Sequence, residues 1–210
     1  MLKESKYLKI YISKGYNYIF NKKTGFFIRW EEEKPPFSYA ITKEGIDIFV
    51  PHDNENSKDP IMAPSAEILD LEISKGKCAG KCSFCYKGNG EDINTYHMTL
   101  DEFKKLLDKF PKFNGSHFLS QIAFGITDIY ANPDFFDMMA YARSEGVIPN
   151  YTCHGLDLTD EAAQKTSELC GAVAVSMCRE KKVAYEAVRK LLNATLDRKI
   201  IIRKKKKRKL

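Results

Sequence analysis

From residue 67 onward, the chain alternates between short apolar segments and longer amphipathic segments, and this alternation limits the possible folds more than any other feature. The apolar segments have strand character, and the segments between them carry helix signals. The predicted strands cover residues 67–73, 118–124, 147–152 and 172–177, with a fifth starting at Ile200. Repeating βα units with short connections predict a parallel sheet, either open or curled towards a barrel.

Local signals mark where the helices begin. The segment TLDE at 99–102 is a capping box, in which a threonine and a glutamate satisfy each other's backbone donors. Asn132 followed by Pro133 supplies a predicted N-cap and a proline at the first helical position. Thr159 is a predicted N-cap for the third helix, and a fourth covers residues 181–194.

Residues 1–66 are different, because they lack βα alternation and are rich in aromatic and β-branched residues. Segments 16–20 and 26–30 flank the loop NKKTG and predict a hairpin. Further strands are expected at 7–12 and around 46–50. The sequence thus predicts a β-rich extension and linker over 1–66, an α/β unit over 67–202, and a basic tail over 203–210.

The basic tail accounts for the charge of the chain. Its seven consecutive basic residues, Arg203–Lys209, exceed the formal net charge of +6, so the rest of the chain is close to neutral. A solvated, disordered end is the simple interpretation, and binding to nucleic acid or another anionic surface is the alternative, which we consider less favoured. The sequence shows neither a signal peptide nor an apolar run of about 18 residues, so we expect a cytoplasmic protein without a membrane partner.

Three cysteines lie within eight residues, directly after the first predicted strand of the α/β unit. Cys78, Cys82 and Cys85 form the pattern C-x3-C-x2-C, with Gly80 helping the backbone to turn. Such closely spaced thiolates can bind one compact inorganic centre. A cubane cluster normally has four cysteine ligands, and with only three here one iron would remain open to an exogenous ligand. The main alternative is structural zinc with His97 as the fourth ligand.

This pattern, with Phe84 before the last cysteine and Tyr86 after it, resembles the signature of the radical S-adenosylmethionine (SAM) enzymes. The resemblance implies a partial (β/α) barrel, here of about four to five βα units. It also implies a [4Fe–4S] cluster held by Cys78, Cys82 and Cys85, whose fourth iron is chelated by the amino and carboxylate groups of SAM. One electron, from an external flavodoxin- or ferredoxin-like donor, would then cleave SAM to a 5′-deoxyadenosyl radical.

The same resemblance implies further cofactor-binding residues at later strand ends. Gly125 and Asp128 correspond to the family's Gly-rich segment with an acid that meets the methionine amino group, although Asp stands where Glu is typical. Ser176 is similar to a position that contacts the ribose or carboxylate of SAM, and Phe84 belongs to the signature itself. His154 follows the third strand and is a candidate for lining the same site.

Two acidic residues on the first strand require a polar environment. With Leu69, Leu71 and Ile73 facing the helices, Asp70 and Glu72 face the opposite side, where burial without partners is costly. They are expected to line a polar cavity or bind a cationic substrate, unless the strand lies at an exposed edge. A second group of three, Cys153, Cys170 and Cys178, lies on separate elements, and we expect buried structural thiols rather than a second cluster.

Length sets a further expectation. At roughly 31 residues per βα unit, the part after residue 67 of this 210-residue chain holds fewer than the six units usual in the family. We favour a truncated or frame-shifted copy of a longer enzyme over a complete short form. The functional hypotheses are therefore a radical SAM enzyme of unassigned substrate, a non-catalytic zinc- or iron-binding module with a nucleic-acid-binding tail, and an inactive remnant.

Overall fold

The computed structural model describes residues 1–32, 34–35, 37–42, 45–51, 60, 62–83, 85, 87, 94–177 and 181–196. Its N-terminal part consists of strands, namely β1 (Leu2–Glu4), β2 (Leu8–Ser13), β3 (Tyr16–Asn21), β4 (Phe27–Trp30), β5 (Phe37–Thr42) and β6 (Gly45–Pro51). The first four form one antiparallel sheet in chain order, and β5 pairs with β6. The predicted hairpin is β3–β4. Strands β1 and β5 were not predicted.

The rest of the described chain alternates between strands and helices. The strands are β7 (Ile68–Glu72), β8 (Ser74–Lys75), β9 (Tyr96–His97), β10 (Lys112–Phe113), β11 (Ser116–His117), β12 (Gln121–Gly125), β13 (Ile148–Cys153) and β14 (Ala172–Val175). The helices are α1 (Leu100–Leu107), α2 (Phe135–Ser144), α3 (Asp160–Leu169) and α4 (Lys181–Leu196). None of these helices combines the length and apolarity needed to cross a membrane.

Four strands form a parallel sheet, in which they lie side by side in the order β7, β12, β13 and β14. The α/β fold with a parallel sheet is therefore confirmed for the described residues. The short pairs β8–β9 and β10–β11 lie outside this sheet and were not predicted. The expected strand at Ile200 and the basic tail lie outside the described residues.

One face of the parallel sheet carries the main hydrophobic core. On this face, every second residue of each strand packs against buried side chains of all four described helices. These strand residues are Leu69, Leu71, Ile122, Phe124, Tyr151, Cys153, Val173 and Val175. Burying these apolar side chains stabilises each by about 1.5–3 kcal/mol relative to exposure. Successive side chains of a strand point to opposite faces, so the residues between these lie on the face that the helices do not cover. Asp70 and Glu72 lie on that face, as predicted.

The N-terminal sheet packs against the amino ends of the parallel strands. Its aromatic side chains share a core with Phe118 and Ile148, which lie just before β12 and at the start of β13. The fully buried Lys9 donates from Nζ to the carbonyls of His117 and Leu119, each at 2.9 Å. These contacts place β1–β4 at the opposite end of the strands from the cysteine loop.

Two of the predicted N-cap residues cap their helices in the structure, and one does not. Thr99 and Glu102 form the predicted capping box of α1, and Thr159 caps α3. The N-cap of α2 is Asp134 rather than Asn132, so that prediction is wrong. Asn132 is buried, and its amide donates to the carbonyls of Ile73 and Met98 at 3.0 and 2.9 Å. Its Oδ1 also accepts from Asp134 N–H at 2.9 Å, so the side chain combines a local bond before α2 with two long-range ones.

Candidate functional site

The carboxyl ends of the parallel strands bring the predicted site residues to one edge. The cysteine loop follows β7 and β8, Asp128 follows β12, His154 follows β13, and Ser176 follows β14. Because neighbouring parallel strands end at the same edge, residues far apart in sequence meet there. The sequence correctly predicted this convergence.

A cavity of about 730 Å³ lies at this edge, on the sheet face not covered by the helices. Its lining includes all three predicted metal ligands and two predicted cofactor-binding residues, namely Cys78, Cys82, Cys85, Gly125 and Ser176. The volume falls in the range of roughly 300–1,000 Å³ typical of small-molecule sites. Asp70, Glu72, Asn150 and Thr152 also line the cavity, which gives one wall a polar surface.

Backbone turns shape the cysteine loop itself. Lys81 N–H donates to the Cys78 carbonyl, and Cys85 N–H donates to the Cys82 carbonyl. Gly80 packs closely in this loop, because a Cβ at its position would lie 3.2 Å from the His154 ring and 3.3 Å from Cys78 Sγ. A side chain at this position would therefore require His154 or Cys78 to move by a few tenths of an ångström.

Asp128 ties the cysteine loop to the end of β12. Ala79 N–H donates to both carboxylate oxygens of Asp128, at 3.1 Å each. Hydrogen bonds from a backbone amide to a carboxylate are charge-assisted and are stronger than neutral ones. In this structure Asp128 thus positions the backbone between Cys78 and Gly80.

His154 contacts Asp128, and its hydrogen bonds define which ring nitrogen carries the proton. Leu156 N–H donates to His154 Nδ1 at 3.0 Å, so Nδ1 carries no proton. The proton of the neutral ring is then on Nε2, which donates to Asp128 Oδ1 at 2.6 Å. The ring is largely buried, and its bonds to Leu156 and Asp128 fix its orientation.

Cys78 is the cysteine closest to these groups. Its Sγ lies within 4.8 Å of a His154 nitrogen and an Asp128 oxygen, and these three form the one such group of potential metal ligands among the described residues. Burial raises the pKa of the Cys78 thiol, and the Asp128 carboxylate raises it further. A thiol in these surroundings stays protonated at neutral pH unless a metal or another cation stabilises the thiolate.

Lys87 is a cavity residue that sequence reasoning missed. Its side chain is 10% exposed, and Nζ lies 3.4 Å from Glu72 Oε1. Nζ also donates to the Ile126 carbonyl at 3.3 Å, beside Gly125. A lysine two residues after the last cysteine was the available signal. It partly balances Asp70 and Glu72, which are both exposed because β7 is an edge strand of the described sheet, the alternative that the sequence left open.

The other residues that the sequence analysis considered for cofactor or metal binding have three different outcomes. Phe84 and Cys178 lie outside the described residues. His97 pairs with Ser74 between β9 and β8 and joins no group of potential ligands in the described part of the chain. Burial raises the pKa of Cys153 to about 11 and that of Cys170 to about 12, so both thiols are protonated at neutral pH, although Cys153 also lines the cavity.

Comparisons with known proteins assign no family. No model of a protein family matches the chain, and no curated protein matches its sequence. The functional argument therefore depends on the residues and geometry of this cavity.

Proposed function

We propose that the chain is a radical SAM enzyme that holds a [4Fe–4S] cluster on Cys78, Cys82 and Cys85 and reductively cleaves SAM to a 5′-deoxyadenosyl radical. In this proposal the parallel sheet is part of a partial (β/α) barrel, and the cavity on its uncovered face receives SAM and the substrate. An external flavodoxin- or ferredoxin-like protein supplies the electron.

One observation carries the proposal. Three cysteines of a single short loop line the same cavity at the carboxyl ends of the parallel strands. Catalytic residues of α/β folds cluster at this edge. A purely structural metal site would have no need of a cavity with room for a small molecule.

The separation of the three thiols fits a cluster better than a single ion. A zinc ion binds each sulfur at about 2.3 Å, which brings all its sulfur ligands close together. The three cysteine sulfurs do not form a group within 4.8 Å of one another. A [4Fe–4S] cluster binds each cysteine to a different iron, so it accepts a wider arrangement.

The tautomer of His154 argues against a zinc site formed by Cys78, Asp128 and His154. A metal on Nε2 would require the ring proton to move to Nδ1. Leu156 N–H already points at Nδ1, so two hydrogens would then face each other. We therefore assign Asp128 and His154 to positioning the loop rather than to metal ligation.

When bound, the cluster supplies a low-potential electron and an open coordination position for SAM. The chain's own residues do the remaining work. Asp128 lies outside the lining of the cavity and holds the loop backbone at Ala79; with three bonds accepted, about one of its four acceptor sites is left for a ligand ammonium group. At Gly125 the absence of a Cβ allows the close approach of Lys87 Nζ, which would lie 2.9 Å from a Cβ at this position.

Anaerobic reconstitution with iron and sulfide, followed by metal analysis, tests the metal assignment. We expect about four iron atoms per chain and a brown protein. Alanine at Cys78, Cys82 or Cys85 should remove most of this iron, whereas the matched variant Cys170→Ala should retain it. A colourless protein that binds zinc with unchanged stoichiometry in the cysteine variants would contradict the proposal.

A further inference from the structure

A second cavity lies at the opposite end of the parallel sheet and has no part in the proposed chemistry. It has a volume of about 560 Å³ and lies between the N-terminal sheet and the elements α3, β14 and α4. Ile148 and Ala172, the first residues of β13 and β14, line it, so it opens at the amino ends of the strands.

The cavity is strongly cationic. Its lining contains Lys6, Lys22, Lys23 and Arg143, against Glu168 as the one carboxylate among the described lining residues. Arg143 is fixed in the wall, because its guanidinium donates to the carbonyls of Leu169 and Cys170 at 2.6 and 3.2 Å. Grouped positive charges in a concave surface attract anions more strongly than isolated ones.

The lysines lie at the rim, and apolar side chains lie further along the wall. Lys6 and Lys23 are exposed and place their ammonium groups 5.1 and 5.9 Å from the centre of the Tyr7 ring. Lys22 is paired with Glu4 at 2.8 Å. The half-buried Val173 and Leu191 provide the apolar surface, with the buried Ile148 behind it. A ligand that fits this cavity has an anionic head and a less polar body.

We propose that this cavity binds an organic phosphate of nucleotide size, with the phosphate at Lys6 and Lys23 and the body against Val173 and Leu191. Phosphate suits a pair of lysines because ammonium groups bind it as point charges without the planar geometry that arginine requires. The site is independent of the cysteine loop and of the proposed radical chemistry.

Lysine footprinting of the full chain tests the site directly, with ATP as the probe. Amine-reactive labelling followed by mass spectrometry should show at least threefold protection of Lys6 and Lys23 by ATP. Lys165, which is paired with Glu161 on α3 outside the cavity, should be labelled equally with and without ATP. Equal labelling of Lys6 and Lys23 at saturating ATP would overturn the proposal, even if ATP binds elsewhere on the chain.

Calorimetric titration with ATP is a second test of the same site. The double variant Lys6→Ala/Lys23→Ala should bind ATP at least tenfold more weakly than the wild type, whereas Lys165→Ala should bind it normally. Inorganic pyrophosphate alone should bind the wild type more weakly than ATP, because it lacks the body. An unchanged affinity in the double variant, or pyrophosphate binding as tight as that of ATP, would contradict the proposed site.

Discussion

His154 Nε2 donates to Asp128 Oδ1 at 2.6 Å, and this pair joins the ends of two neighbouring strands beneath the cysteine loop. Through Asp128, the pair reaches Ala79, which lies directly after Cys78. The orientation of the first cysteine therefore depends on a histidine 76 positions away, at the end of another strand.

We expect Asp128→Asn to weaken metal retention without unfolding the chain. The amide replaces one of the two acceptor oxygens with an NH₂ donor, which would face either Ala79 N–H or His154 Nε2–H and lose the charge assistance of the carboxylate. Loss of a group that orients a metal ligand typically costs about 10–100-fold in affinity. Iron content after chelator challenge measures this loss, and Asp137→Asn on the exposed side of α2 is the control. Iron retention equal to that of the control would show that Asp128 does not position the loop.

Gly80→Ala should disturb the same loop from its other side. The added Cβ would lie 3.2 Å from the His154 ring and 3.3 Å from Cys78 Sγ, so one of them must shift by a few tenths of an ångström. We expect less iron per chain after reconstitution, with a thermal midpoint close to that of the wild type. Ser83→Ala, at an exposed position in the same loop, should load normally. Full iron loading of Gly80→Ala would mean that the loop has more room than the structure indicates.

Asn132→Ala should destabilise the fold. Its buried amide donates to the carbonyls of Ile73 and Met98, and its Oδ1 accepts from Asp134 N–H. The Ile73 carbonyl keeps Met98 N–H as a donor, so the cost comes from the bonds to Met98 and Asp134. An unsatisfied buried polar group costs about 1–3 kcal/mol. Urea unfolding measures the change, and Asn94→Ala, at an exposed position, is the control. A loss below about 0.5 kcal/mol would suggest that water replaces the amide at low cost.

Lys9 should make stability depend on pH. Burial lowers its pKa from 10.5 to about 8 in the folded chain. Between these two values the unfolded chain binds the additional proton, so the free energy of unfolding contributed by Lys9 rises with pH across this window. The full effect is up to about 3 kcal/mol.

Other groups also titrate in this range, since burial raises the pKa values of Cys153 and Tyr18. The difference between the wild type and Lys9→Met isolates the lysine. Urea unfolding of both proteins from pH 7.5 to 10.5 should show the wild type gaining stability relative to Lys9→Met. A constant difference would show that the pKa of Lys9 is not lowered in the folded protein.

The sequence predicted those features that depend on local periodicity. The alternation of Leu69 and Leu71 with Asp70 and Glu72 correctly identified the two faces of β7, because side chains of a strand point alternately to opposite sides. The capping box at Thr99 depends on residues three apart and formed as predicted. Placing the cysteine loop, Asp128 and His154 at one edge required only the parallel order of the strands.

Features that depend on long-range contacts could not be predicted. Asn132 has the sequence signature of a cap, yet its amide donates to the carbonyls of Ile73 and Met98, more than 30 residues away. The bond between Asp128 and His154, and the contacts of Lys87 with Glu72, join elements whose relative positions only the folded chain defines. Local sequence patterns contain no information about such pairs.

The most direct test of the central claim is the formation of 5′-deoxyadenosine by the anaerobically reconstituted protein, given dithionite and SAM. We expect the nucleoside to form, and SAM to change the electron paramagnetic resonance spectrum of the reduced protein. Both signals should be lost in Cys82→Ala and kept in Cys170→Ala. A fully iron-loaded protein whose spectrum ignores SAM and which forms no 5′-deoxyadenosine would contradict the assignment of this cavity to radical SAM chemistry.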